Sequence, residues 1–206
     1  MQFTFKKTIY AFALFSASLL LYRIIRSDSL SYIFLAWNLF LAFIPFWISD
    51  YLKRQEKQGF KYLPLLGIWL LFLPNSPYIL TDLFHFRARP FIPLWFDLIL
   101  VASFVIIGFA VFYRSVMDMR EVFKKYIPAA YMRYVMPLVF WLVAFGLYLG
   151  RYLRFNSWDI IHPIRLAKAS ALTLLSPDAL CFTCIFSVFM WLVYITLIHY
   201  NRHEEA

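Results

Sequence analysis

The chain has 206 residues, of which 63% are hydrophobic, 22% aromatic and only 15% charged. Soluble domains are nearer half apolar, so this balance excludes an ordinary soluble surface. The net charge of +9 is scattered over the ends of apolar runs, not gathered into a stripe. That excludes a nucleic-acid-binding face and suits anionic lipid head groups and orientation in a membrane.

Six apolar runs follow in chain order. The first, 8–25, comes after Lys6 and Lys7 and continues past the loose small-residue site Ser16-Ala17-Ser18 to Arg23 and Arg26. A retained first helix is expected rather than a cleaved signal. The second is 30–49 and the third is 62–73, with 74–80 as a bent extension. The fourth is 94–113, the fifth 131–149 and the sixth 179–200. At about 1.5 Å of rise per residue most of these cross the ~30 Å hydrocarbon core. The fold class is therefore all-α integral membrane. About six transmembrane helices are expected in a single domain over residues 1–206, with a short re-entrant or interfacial helix after Pro77.

Local signals mark several ends. Ser76-Pro77 and Ser176-Pro177 each place a capping residue before a proline at a first helical position. Pro137 is expected to kink the fifth span. Residues 164–175 form a candidate amphipathic helix at the interface, with Arg165 and Lys168 near head groups. Gly146 and Gly150, four apart, can seat a second helix closely, either inside the bundle or in a homo-oligomer. With the N-terminus inside, twelve of the twenty Lys and Arg fall on the inner side and eight on the outer. Both termini are thus expected in the cytoplasm.

With six spans, the third-to-fourth and fifth-to-sixth connections share one side of the membrane. The first carries Asn75, Ser76, Thr81, Asp82, His85, Arg87 and Arg89. The second carries Arg151, Arg154, Asn156, Ser157, Asp159 and His162. Asp97 lies about one turn into the fourth span. Polar and ionisable groups beside hydrocarbon are costly, so their concentration suggests a purpose. Asp82, Asp97, Arg154, Asn156 and Asp159 are the leading candidates for an outer polar cluster, followed by Asn75, Thr81, His85 and Arg151.

The stretch Pro74-Asn75-Ser76-Pro77-Tyr78-Ile79-Leu80-Thr81-Asp82-Leu83 resembles a motif of a bacterial family of multi-pass membrane proteins, domain of unknown function 1361. Pro93-Leu94-Trp95-Phe96-Asp97 and Gly150-Arg151-Tyr152-Leu153-Arg154-Phe155-Asn156-Ser157-Trp158-Asp159 resemble its further blocks. The resemblance runs from about residue 30 to the sixth span. It implies the architecture and a bacterial membrane, and no activity.

Asp82-Leu83-Phe84-His85 and Asp159-Ile160-Ile161-His162 share the spacing Asp-x-x-His, which puts both groups on one face of a helix. Such pairs can ligate a metal or run proton transfer, or else cap and pair locally. Pro163 disfavours helical geometry at His162 and counts against a symmetrical metal site. No metal and no cofactor is expected. Arg151 and Arg154 can pair with Asp82, Asp97 or Asp159, bind an anionic ligand, or snorkel. Asp97, a carboxylate inside a span, needs a partner or a proton, and the expected partner is an arginine from a neighbouring connection. Asn156-Ser157 before Trp158-Asp159 reads as a helix cap, with Trp158 as an interfacial anchor. Cys181 and Cys184 lack the strand–helix setting of a redox pair and read as buried apolar thiols. Membrane lipids are the expected partners. The functions kept open are binding of a lipid-like or small polar ligand or a partner protein, an intramembrane hydrolase or transferase using the Asp and His groups, and a small transporter. The sequence shows no inverted repeat of the kind transporters carry.

Overall fold

Length and apolarity turn the runs into helices. A computed structural model describes residues 2–55, 62–85 and 92–204. In chain order the helices are α1 (Gln2–Ser27), α2 (Ile33–Lys53), α3 (Leu63–Phe72), α4 (Asn75–Thr81), α5 (Leu94–Lys124), α6 (Ala129–Tyr152), α7 (Pro163–Leu174) and α8 (Pro177–Glu204). Short 3-10 turns occupy Asp82–His85 and Ser157–Ile161. Among the described residues six segments are long and apolar enough to cross a membrane, with α3 and α4 together forming one of them over Leu63–Thr81. Leu14, Trp37, Ile106, Leu138 and Ile185 lie exposed along these helices. In water so much exposed apolar surface would be a liability, whereas lipid covers it without cost. The chain is an all-α, multi-pass membrane protein.

It divides into two compact units, Met1–Asp118 and Met119–Ala206, each with its own packing. In the first unit α2 buries Leu35, Leu39, Ala42, Phe46 and Ser49, and α5 buries Leu100, Phe104, Ile107, Val111 and Ser115. Steps of three and four residues place each set on one helical stripe. Ile79 of α4 joins them, as do Ile9 and Leu20 of α1.

A polar seam runs through this core at Pro45, inside α2. Proline has no N–H, so the helix ladder is interrupted there. Hydroxyls from other helices donate to carbonyls beside the break. Ser76 Oγ reaches Ala42 O at 3.0 Å. Ser115 Oγ reaches Pro45 O at 2.9 Å and accepts from Trp69 Nε1, also at 2.9 Å. Ser115→Ala removes a buried hydroxyl that both accepts from this indole and donates to a carbonyl beside the break, and is expected to cost about 1–3 kcal/mol. Ser18→Ala, at an exposed site, should be silent. Denaturant unfolding of both variants in the same detergent checks this.

The Pro74–Thr81 region differs from expectation in one respect. α4 starts at Asn75, two residues before Pro77, and Ser76 makes no cap. The missing N–H of Pro77 falls in the first turn, where amides have no helical acceptor, so the helix can begin ahead of it. The Ser76 hydroxyl is committed to α2 instead.

At the other end of this unit each of two carboxylates pairs with one cation from another helix and one four residues away along its own chain. Lys6 meets Asp50 at 2.6 Å and Arg54 meets the same carboxylate at 2.8 Å. Asp118, buried, takes Lys53 at 2.6 Å and Arg114 at 3.1 Å. α5 runs eleven residues past the expected end of the fourth span at Tyr113 and so carries a second buried acid, Asp118, besides Asp97.

In the second unit α6 packs on α8. Met132, Met136, Val139, Phe140, Val143 and Leu147 form the buried stripe of α6. The Phe140 ring lies 5.2 Å from that of Tyr194. Cys181 and Cys184 are free thiols and both are exposed on α8, which corrects the expectation of burial. In a membrane protein apolar side chains face lipid as readily as core, so an apolar setting does not report burial.

Candidate functional site

The candidates of the first unit are drawn inward by groups on neighbouring helices. Asp97 is the fourth residue of α5 and is buried with Arg23 of α1. The guanidinium closes a fork on the carboxylate: Nε donates to Oδ1 at 3.0 Å and Nη2 to Oδ2 at 3.4 Å. Nη1 donates to Ser27 Oγ at 3.3 Å, and the Tyr32 ring centroid lies 4.4 Å from Arg23 Cζ. The expected arginine partner of Asp97 thus comes from the end of the first span. The cation has ion-pair, hydroxyl and aromatic contacts, the combination that makes a buried arginine tolerable.

Asp82, also buried, accepts from Asn38 Nδ2 at 2.8 Å. The motif residues beside it bond locally. Asn75 Nδ2 donates to Phe72 O at 2.9 Å, and Thr81 Oγ1 to Tyr78 O at 2.7 Å. Both bonds run back to carbonyls three residues earlier; the first spans the α3–α4 joint and the second lies within α4. His85 closes the 3-10 turn. Its side chain, with Arg87 and Arg89, lies outside the described residues.

In the second unit Asn156 and Asp159 form a reciprocal capping box on the Ser157–Ile161 turn, with Asn156 N–H donating to Asp159 Oδ2 at 2.6 Å. This is the cap expected from the sequence. His162 has φ −113° and ψ 65° and serves as the N-cap of α7, away from helical geometry, as its following proline requires. One carboxylate of the second Asp-x-x-His pair is thereby engaged in a cap. Among the described residues no three His, Cys, Asp or Glu side chains converge.

Arg151 is half-buried at the end of α6, whereas Arg154 is exposed. Arg154 sits at φ 58°, where Phe155 N–H turns back to Leu149 O at 3.2 Å. Left-handed residues commonly end helices, but glycine is the low-cost occupant because a Cβ there is strained. An arginine fills the position here, and it makes no ion pair among the described residues of its own unit.

Residues 37–193 match a family described as protein of unknown function (DUF1361). The chain belongs to the DUF1361 family. No curated protein and no solved structure matches the chain. The DUF1361 match includes all nine sequence-predicted candidates together with Asn38, and begins after Arg23.

Sequence reasoning left out two side chains that this geometry makes central, Arg23 and Asn38. A signal for Arg23 exists: a cation within an apolar run needs a partner, and Asp97 stands about as far from a span end as Arg23 does. Asn38 carries no comparable mark.

Proposed function

We propose that this chain is a binding protein of a bacterial cytoplasmic membrane, with both termini inside and membrane lipids around it. On this reading its outer face holds a site for an anionic ligand, either lipid-like or small and polar, at the turn that follows the fifth span. The observation that carries the reading is Arg154: an exposed guanidinium held on left-handed backbone, at a helix end where glycine costs least. Strain of this kind is kept where the side chain is needed. A guanidinium engages a phosphate or carboxylate through paired, charge-assisted bonds. The Asn156–Asp159 cap fixes the backbone on one side of Arg154 and α6 fixes it on the other. Asp82 and Asp97 serve as internal supports of the first unit.

The test is native mass spectrometry of the detergent-solubilised protein with phosphatidylglycerol, with phosphatidylcholine and with free glycerol phosphate. Charge-assisted bonds contribute about 1.5–3 kcal/mol, so Arg154→Gln should weaken retention of the acidic species roughly tenfold to a hundredfold. Competition by glycerol phosphate would identify the head group alone as ligand, and its failure would identify the lipid. Equal retention by the parent and Arg154→Gln would overturn the proposal.

A further inference from the structure

We infer that α7, with the turn before it, is an interfacial foot that seats on the acidic head-group layer of the bilayer. The inference does not rest on a ligand at Arg154. α7 has 12 residues, about 18 Å of helix against a hydrocarbon core of ~30 Å. It joins α6 to α8, two membrane-spanning helices of the same unit. It therefore lies at the membrane face where α6 ends and α8 begins.

Its residues sort into three sectors. Leu166, Ala169, Ser170 and Thr173 point inward, buried or half-buried, as α7 packs on α8 and on the preceding turn. Ile164, Ala167, Ala171 and Leu174, at steps of three and four, form an exposed apolar side. Arg165, Lys168 and Leu172 form the exposed flank beside it. Ile164 is 84% exposed, Leu175 at the helix end 79%, and Ile161 in the preceding turn 71%. Water alone would leave this much aliphatic surface uncovered at one short helix. A helix of this pattern, apolar on one side and cationic on its flank, rests in the head-group boundary with its apolar side toward the acyl chains.

The flank selects the lipid by charge. Arg165 stacks over the Phe155 ring at 5.6 Å, and neither Arg165 nor Lys168 has an ion-pair partner among the described residues. α7 itself carries no acid. Each such cation near an anionic surface favours it by roughly fivefold. An acidic phospholipid layer matches both the charge and the apolar side, whereas a polar protein surface matches only the charge.

The full chain carrying Cys181→Ser and Cys184→Ser, with single cysteines at residues 164, 168 and 175, can be labelled with an environment-sensitive fluorophore. It is then reconstituted in phosphatidylcholine and in an equal mixture of phosphatidylcholine and phosphatidylglycerol. The expected result is quenching at 164 and 175 by brominated acyl chains and at 168 by aqueous iodide. Lipid quenching should rise severalfold in the acidic vesicles and lose that rise in the 164 and 175 probes when Arg165→Gln and Lys168→Gln are added. Iodide reaching all three positions equally would overturn the proposal. So would shielding from both quenchers, which would mean that protein covers the helix. Lipid quenching indifferent to phosphatidylglycerol would overturn the acidic partner.

Discussion

Arg23→Gln and Asp97→Asn are each expected to cost about 3–5 kcal/mol of unfolding free energy, with the double variant losing much less than the sum. The two side chains are 1% and 2% exposed, and each single change leaves its partner as a buried charge with nothing to neutralise it. Most of the loss is the desolvation of that survivor, not the attraction forgone. Removing both charges removes the penalty, which is why the cycle is strongly non-additive. Arg23 also loses the Ser27 hydroxyl and the Tyr32 face when truncated, so Arg23→Gln should be the more damaging of the two. Unfolding of the four proteins in one detergent reads the coupling. Small, additive losses would show that the pair does not form.

Gly108→Val is expected to be nearly as damaging, at roughly 3 kcal/mol, with Gly108→Ala at about 1–3 kcal/mol. A Cβ at residue 108 would lie 2.7 Å from the Ser76 carbonyl oxygen and 3.0 Å from Ile79 Cδ1. The first of these is backbone and cannot swing aside. α5 and α4 would have to separate, and the Ser76 hydroxyl would be pulled from Ala42 on α2. One methyl group thus strains three helices at once. Gly67→Ala, which meets nothing within 4 Å, is the control and should be neutral or slightly stabilising through its helix preference. Thermal unfolding of the three variants beside the parent checks the order.

The spans were legible because length and apolarity decide them, and a 12-residue third run could still be completed by its neighbour across Pro74. Their ends were less so. The fourth apolar run stops at Tyr113, yet Met117-Asp118-Met119-Arg120-Glu121 continues as good helix and α5 carries on to Lys124. The Asn156–Asp159 cap and the break at His162 were legible because both are local, set within four residues. The partners of Asp97 and Asp82 lie 74 and 44 residues away, and no local pattern encodes such a pairing. The exposed thiols of Cys181 and Cys184 mark a different limit: where solvent is lipid, hydrophobicity cannot tell inside from outside.

The central claim is a division of labour, in which buried charges of the first unit hold the fold and Arg154 is kept for a ligand. Unfolding and lipid retention, measured together on Arg154→Gln and Arg23→Gln, test it most directly. The account predicts that Arg154→Gln keeps or gains stability and loses the acidic species, while Arg23→Gln loses stability. Unfolding of Arg154→Gln at a cost like that of Arg23→Gln, with retention unchanged, would contradict it.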